Sequence, residues 1–181
     1  VFSTGGIGGV HRGYKKSLDM SQDLFSLSQT PIVVVCSGVK SFLNVEKTIE
    51  ALETFGVTTV GYKTDSFPLF YSSESKNKLQ YSFDSVSGLV GVYKENIKNK
   101  LQNSLLVLNP VPKKDEILEE KIKNIVSVSI SKMEKLGIVG NKTTPFLLNE
   151  IAKKTKNKSL QTNISLALNN IKLGATIALK I

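Results

Sequence analysis

At 181 residues with 40 % apolar side chains, the chain is long enough for one domain with a real core, and it contains no apolar run of the roughly twenty residues that a membrane helix needs. A single cysteine excludes a disulfide framework. The formal charge of +9 invites nucleic acid, but Arg12 is the only arginine among 24 basic residues, and the lysines lie among glutamates as in KKDEILEEKIKN. Readers of base edges and phosphates favour arginine, with aromatics to stack, so this pattern reads as a solvated helical face and excludes nucleic acid as the main partner.

The chain opens with VFSTGGIGGVHRG, in which Gly5, Gly6, Gly8 and Gly9 let the backbone approach a ligand and turn its amides inward. Loops of this kind hold phosphate when a helix follows, although the spacing fits neither the dinucleotide fingerprint nor the P-loop; plain tight turns are an equal reading. Thr4 adds a hydroxyl, and the only histidine and only arginine follow as His11 and Arg12. In LDMSQDL, Asp19, Ser21 and Asp23 recur at two-residue intervals, so they share a side in extended chain, and Asp19 and Asp23 share a face in a helix. Two carboxylates with a hydroxyl between them suit Mg²⁺ or Mn²⁺; the alternative is that Asp19 and Ser21 cap a helix or turn.

PIVVVCSGVK follows, and the rest of the chain is organised around it. Ile32 to Cys36 is apolar without alternation, as in a strand covered on both faces, and Cys36 reads as a small buried hydrophobe. Ser37 and Gly38 end the strand and Lys40 arrives directly after, at the kind of strand end where open α/β sheets place ligands. A lysine half-desolvated there could serve as an amine nucleophile; the plainer reading is a surface lysine.

Beyond it, SFLNVEKTIEALETFG has helical spacing and stops at Gly56, and VTTVGYKT reads as a second strand. The tract YSSESKNKLQYSFDS is polar and is expected to be a surface excursion. SVSGLVGVYKENIKNKLQ reads as a helix and SLLVLNPVP as a third buried strand. Asp115 to Leu136 is expected as one long helix stopped by Gly137. TTPFLLNEIAKKT carries Pro145 in a first helical turn, and SLQTNISLALNNIKLGATIALKI forms a last helix whose Asn163, Asn169 and Asn170 interrupt its apolar face. Strands alternating with helices predict a three-layer α/β/α sandwich around a largely parallel or mixed sheet.

In this order TGGIGGVHRG, D-x-S-x-D, VVC-x-G-x-K-S, LETFGV…VGY-x-T, NP-x-P, TPFLL and SL-x-x-NI-x-L-x-x-NN resemble the pseudouridine-5′-phosphate glycosidase family, also called indigoidine synthase A-like proteins. The resemblance runs from Thr4 to the chain end and implies that residues 1–181 are the C-terminal part of a single family domain. It implies reversible cleavage of the C–C glycosidic bond of pseudouridine 5′-phosphate to uracil and ribose 5-phosphate, by a manganese-dependent homotrimer in the carbon–oxygen lyase class. Lys40 is then the covalent nucleophile that forms an imine, Asp19 the ligand of one Mn²⁺ per subunit, and Ser21, Gln22 and Asp23 the phosphosugar-contacting segment. Thr4, Gly5, Gly6, His11 and Asn163 would complete the substrate site. The leaving group is a carbon, so protonation of a nitrogen is not open to this reaction; an amine adding at the sugar C1 as the ring opens leads to an imine and a route to cleave the bond.

The family's general-acid glutamate and a phosphate-contacting lysine belong to a further N-terminal segment, and neither position lies in this sequence. Gln22 stands where a small residue is usual, and Asn44 where an aspartate is common. The expectation is therefore an enzyme completed by an N-terminal part, including one supplied as a separate chain. The alternative is a non-catalytic phosphosugar-binding or assembly subunit descended from the enzyme. A kinase of phosphosugars is disfavoured because no kinase motif occurs. The compartment expected is the cytoplasm, with an organelle left open.

Overall fold

The computed structural model describes residues 1–181, the side chain of Lys16 excepted. The β-branched run becomes strand β2, Val33–Cys36, with all four residues buried. It pairs in parallel with β1 (Phe2–Ser3) on one side and with β5 (Leu105–Leu108) on the other. Strands β3 (Thr58–Tyr62) and β4 (Ser82–Phe83) extend the sheet beyond β5, giving the order β1-β2-β5-β3-β4. Every strand pair is parallel, so the mixed alternative does not apply.

Each central strand sends alternate side chains to opposite faces, and each face has its own core. Val34, Cys36, Leu106 and Leu108 pack against α2 (Gln22–Gln29), α3 (Val45–Thr54), α5 (Glu119–Lys135) and α6 (Thr143–Lys154). Val33, Val35, Leu105 and Val107 pack against α4 (Val86–Lys98) and the end of α7 (Lys158–Ala178). A four-residue helix, α1, spans Tyr14–Ser17 between β1 and α2. The architecture is a three-layer α/β/α sandwich, as the alternation predicts. Helix α7 belongs to both outer layers: its Leu166 lies in one core, and its Leu173 and Ile177 lie in the other.

Of the two readings of LDMSQDL, the capping one holds for Ser21, which caps α2 by accepting from the Asp23 amide at 3.2 Å and so satisfies one orphan donor of the first turn. Two other local expectations are corrected. The expected helix from Asp115 begins at Glu119 after a 3₁₀ turn, Lys113–Asp115. The reason is tertiary: the Ile117 amide donates to Tyr71 O at 2.8 Å, and Ser72 Oγ donates to Ile117 O at 2.6 Å, so residues 116–118 are held extended. By the same contacts the polar tract after Phe70 is not wholly a surface excursion. Tyr71, Ser72 and Ser73 are buried, and the tract supplies strand β4. Burial pushes the Tyr71 phenol up to about 12.

Asn44 caps α3, its side-chain oxygen accepting from the Lys47 amide at 2.9 Å. Asparagine and aspartate serve equally well there, so that departure from the family pattern leaves the helix start intact.

Candidate functional site

The site is built where β1 and β2 end. Past Ser3 the chain does not leave the sheet at once. Thr4 N donates to Val35 O at 3.0 Å, Ser37 N to Gly5 O at 3.0 Å, Ile7 N to Gly38 O at 3.0 Å, and Lys40 N to Ile7 O at 3.1 Å. The glycine loop and the segment leading to Lys40 thus form one continued ladder. Gly38 makes this possible: its φ of +86° turns the strand end, and a Cβ there would land on Pro68 O. Val39 is then fully buried and Lys40 half-buried at the rim.

Lys40, Thr4, Gly6, Ile7 and Asp23 line a pocket of about 240 Å³, closed on its other side by Ser26 and Leu27 of α2. The pocket runs along the sheet face beside the two-residue strand β1 and is mostly apolar, with Thr4, Asp23 and Lys40 among its polar groups. Cys36, just behind Lys40, is fully buried, and burial pushes its thiol up to about 12, so it stays a neutral hydrophobe as expected.

The glycine loop is more tightly engaged than an open phosphate cradle. Gly8 N donates to Asp23 Oδ2 at 2.7 Å, Val10 N to Thr48 Oγ1 at 3.0 Å, and His11 N to Asp19 O at 3.1 Å. Gly8 is required by close approach, because a Cβ there would land on Ser21 Oγ. Among the described residues, the amides of Gly5, Gly6 and Gly9 have no protein acceptor, and of these three residues Gly6 lines the pocket. These are the loop donors left for an anion.

The structure separates the two aspartates that the sequence spacing placed together. Asp23 faces the loop and the pocket. Asp19 lies outside it, 54 % exposed, with its carboxylate 3.6 Å from His11 Nδ1. Gln22 is exposed at the start of α2, and Ser21 is engaged as its cap. Asn163 is half-buried beside Gly5, its Oδ1 about 3.1 Å from where a Cβ on Gly5 would sit. Arg12 reaches back to Ser41 O at 3.1 Å, and partial burial lowers its guanidinium from the ordinary value. Lys40, Thr4, Gly6 and Asp23 are thus gathered in one pocket and Asn163 borders the loop, whereas half-buried His11 and exposed Asp19 form a separate pair.

Among the described residues, no three of His, Cys, Asp and Glu converge as a metal cluster. The donor set at Asp19, a water-exposed carboxylate beside an imidazole, nevertheless fits a hard divalent ion that keeps most of its waters.

Sequence reasoning missed a buried polar cluster that joins the pocket wall through Thr4 O: Ser37, Asn109 and Asn170. The signal was there in the paired asparagines on the apolar face of the last helix.

The family model of indigoidine synthase A-like proteins matches residues 1–180. A pseudouridine-5′-phosphate glycosidase of Kosmotoga olearia is 44 % identical over 178 residues, covering 98 % of this chain and 61 % of the relative. The glycosidase of Glaesserella parasuis is 41 % identical over 179 residues, covering 99 % and 59 %. The crystal structure of an indigoidine synthase A-like protein from Thermotoga maritima superposes with a TM-score of 0.90 at 37 % identity, over 98 % of this chain and 58 % of that one. A prealnumycin C-glycosynthase in complex with ribulose 5-phosphate superposes with a TM-score of 0.88 at 29 % identity, over 99 % and 61 %. The chain therefore spans about three-fifths of the length of these relatives.

Proposed function

The chain belongs to the indigoidine synthase A-like family, and from that premise we propose that it carries the nucleophile half of a pseudouridine-5′-phosphate glycosidase. The observation that carries this reading is the convergence of Lys40, Thr4, Gly6 and Asp23 on one pocket at the end of a parallel sheet. Relatives 41–44 % identical are named for this activity, and a fold neighbour is recorded with a pentulose phosphate.

In the reaction, the neutral amine of Lys40 adds to C1′ as the C1′–O4′ bond opens, and the ring oxygen takes up a proton. The nitrogen lone pair then forms C1′=N while the C–C pair departs to uracil C5, which is protonated. Water hydrolyses the imine, releases ribose 5-phosphate and restores the amine. The phosphate is assigned to the unengaged amides of the glycine loop, Gly5 and Gly6 foremost, with the Thr4 hydroxyl. Asp23 holds Gly8 and thereby the loop. Asn163 flanks the same loop and is assigned to the sugar hydroxyls.

Mn²⁺, one per subunit, would be held by Asp19 with His11 beside it, largely through waters, and would supply positive charge that orients the substrate. By its resemblance to the family, the chain is further proposed to assemble as a homotrimer.

Among the described residues Asp23 is the one carboxylate lining the pocket, and it is already engaged by Gly8. A proton donor is thus assigned to the part of the relatives that this chain does not span. That same observation favours a second reading, a phosphosugar-binding subunit that does not turn over.

Borohydride reduction in the presence of ribose 5-phosphate, on the protein completed by its N-terminal part, separates the two. A covalent adduct of the pentose phosphate on Lys40, located by peptide mass spectrometry, is the expected result. Saturable binding of ribose 5-phosphate without any adduct selects the non-catalytic subunit instead.

A further inference from the structure

Asn170 sits on α7 between the two cores and is fully buried. A leucine there would continue the apolar face set by Leu166, Leu173 and Ile177, so the polar side chain needs a physical reason. Its carboxamide uses both donors: Nδ2 donates to Thr4 O at 2.8 Å and to Ser37 Oγ at 3.1 Å. Its Oδ1 accepts from Asn109 Nδ2 at 3.0 Å, and Ser37 Oγ donates to Asn109 O at 2.8 Å. One side chain thus ties together the last helix, the head of the glycine loop, the end of β2 and the end of β5.

The ladder that starts at Thr4 finishes at the Lys40 amide, three hydrogen bonds later. We propose that Asn170 is a positioning residue: by fixing Thr4 O and Ser37 together it sets the register between the loop wall of the pocket and Lys40. A satisfied buried network has a single arrangement of low energy, because any slip of the ladder orphans groups that water cannot reach. Loss of the carboxamide leaves Thr4 O and Asn109 without their partner, and the loop and the segment 37–40 can then move independently.

The proposal uses the reading of this pocket as a phosphosugar site for one of its two tests only. The first test is hydrogen exchange on the full protein, comparing Asn170→Ala with Leu173→Ala, a core truncation one turn along the same helix that shares a core with Val33 and Val35 of β2 but makes no hydrogen bond to residues 4–8 or 37–40. At matched loss of Tm, Asn170→Ala should speed exchange at residues 4–8 and 37–40 by about tenfold over the control, and Ser37→Ala should give a smaller increase in the same segments. The second test is the rate of borohydride labelling by ribose 5-phosphate. It should fall in Asn170→Ala by more than binding of the sugar phosphate weakens, whereas Leu173→Ala should leave the ratio of the two unchanged.

If Asn170→Ala does not fold, Ser37→Ala carries the same comparison. Exchange in the loop no faster than in the Leu173→Ala control overturns the proposal. An unlabelled wild-type protein sinks the imine reading instead and leaves the exchange result to decide the role of Asn170.

Discussion

At the scale of single residues, the weight falls on the amine of Lys40. Lys40→Arg keeps a cation at the rim but should abolish borohydride trapping, since a guanidinium stays protonated and cannot add to carbon. Lys40→Ala should do the same while leaving Tm within a few degrees of wild type, because the side chain is half-exposed and the ladder is held by its backbone amide. Trapping at the wild-type rate in either variant removes Lys40 as the nucleophile. Asp19 belongs to a different test, because it lies outside the pocket beside His11. Asp19→Ala should lose most Mn²⁺ affinity in calorimetry, whereas Asp23→Asn should keep it; equal affinity in Asp19→Ala and wild type would place the ion elsewhere.

At the scale of elements, the glycine loop and α2 are held by mutual close contact. Gly8→Ala would push a methyl into Ser21 Oγ, the cap of α2, and would strain the bond between Gly8 N and Asp23. Overpacking of this kind costs about 1–3 kcal/mol, so urea denaturation should show a loss in that range with little change in m-value. A substitution with no effect would mean that the loop is free to move. The pairing of α5 with α6 has an electrostatic member: Lys132 Nζ donates to Glu150 Oε2 at 2.8 Å, and the Glu150 side chain is only 9 % exposed.

The hydrogen bond from Lys132 holds the Glu150 carboxyl below the ordinary glutamate value of 4.5. The folded state therefore binds the proton less readily than the unfolded chain, and the stabilisation is present above that value and lost as pH falls through the lower folded one. The Tm gap between wild type and Glu150→Gln should be open at pH 7 and close progressively below about 4.5. A gap that does not change with pH would show that the bond, not the charge, is what α5 and α6 share.

At the scale of the whole molecule, the +9 charge is spread over lysine-rich helices without an arginine-lined groove. Duplex DNA should bind weakly at about 50 mM salt and be released by about 200 mM, as counterion release dictates. A tight, sequence-selective complex at the higher salt would overturn the exclusion of nucleic acid. The sheet order β1-β2-β5-β3-β4 brings residues distant in sequence to one end of the molecule: Thr4, Ser37, Lys40, Asn109 and Asn170 all meet there. Helix α7 joins the two cores over that end, so the stability of the site and of the fold are coupled through a single helix.

The sequence by itself determined the sandwich, the buried strand Val33–Cys36 and the place of Lys40 after it, whereas only the tertiary structure put β5 rather than this strand at the middle of the sheet. An unbroken run such as Val33–Cys36 can be buried on both faces only in a covered parallel sheet, and that requirement is local to the run. Helix starts set by their own caps were equally local, as at Asn44. The two-residue strands Phe2–Ser3 and Ser82–Phe83 were not legible, because so short a pairing has no periodicity of its own and exists only through the neighbouring strand. Nor was the delayed start of α5, which depends on Tyr71 and Ser72 reaching Ile117 from far along the chain.

At the site, spacing alone could not separate Asp19 from Asp23; the pairing of residue 11 with 19 and of 9 with 21 turns one outward and leaves the other facing the loop. Asn170 was visible only as a polar interruption of an apolar face. What that interruption does was decided by the tertiary structure alone, since its partners lie 61, 133 and 166 residues away and a buried carboxamide has meaning only through the groups it satisfies.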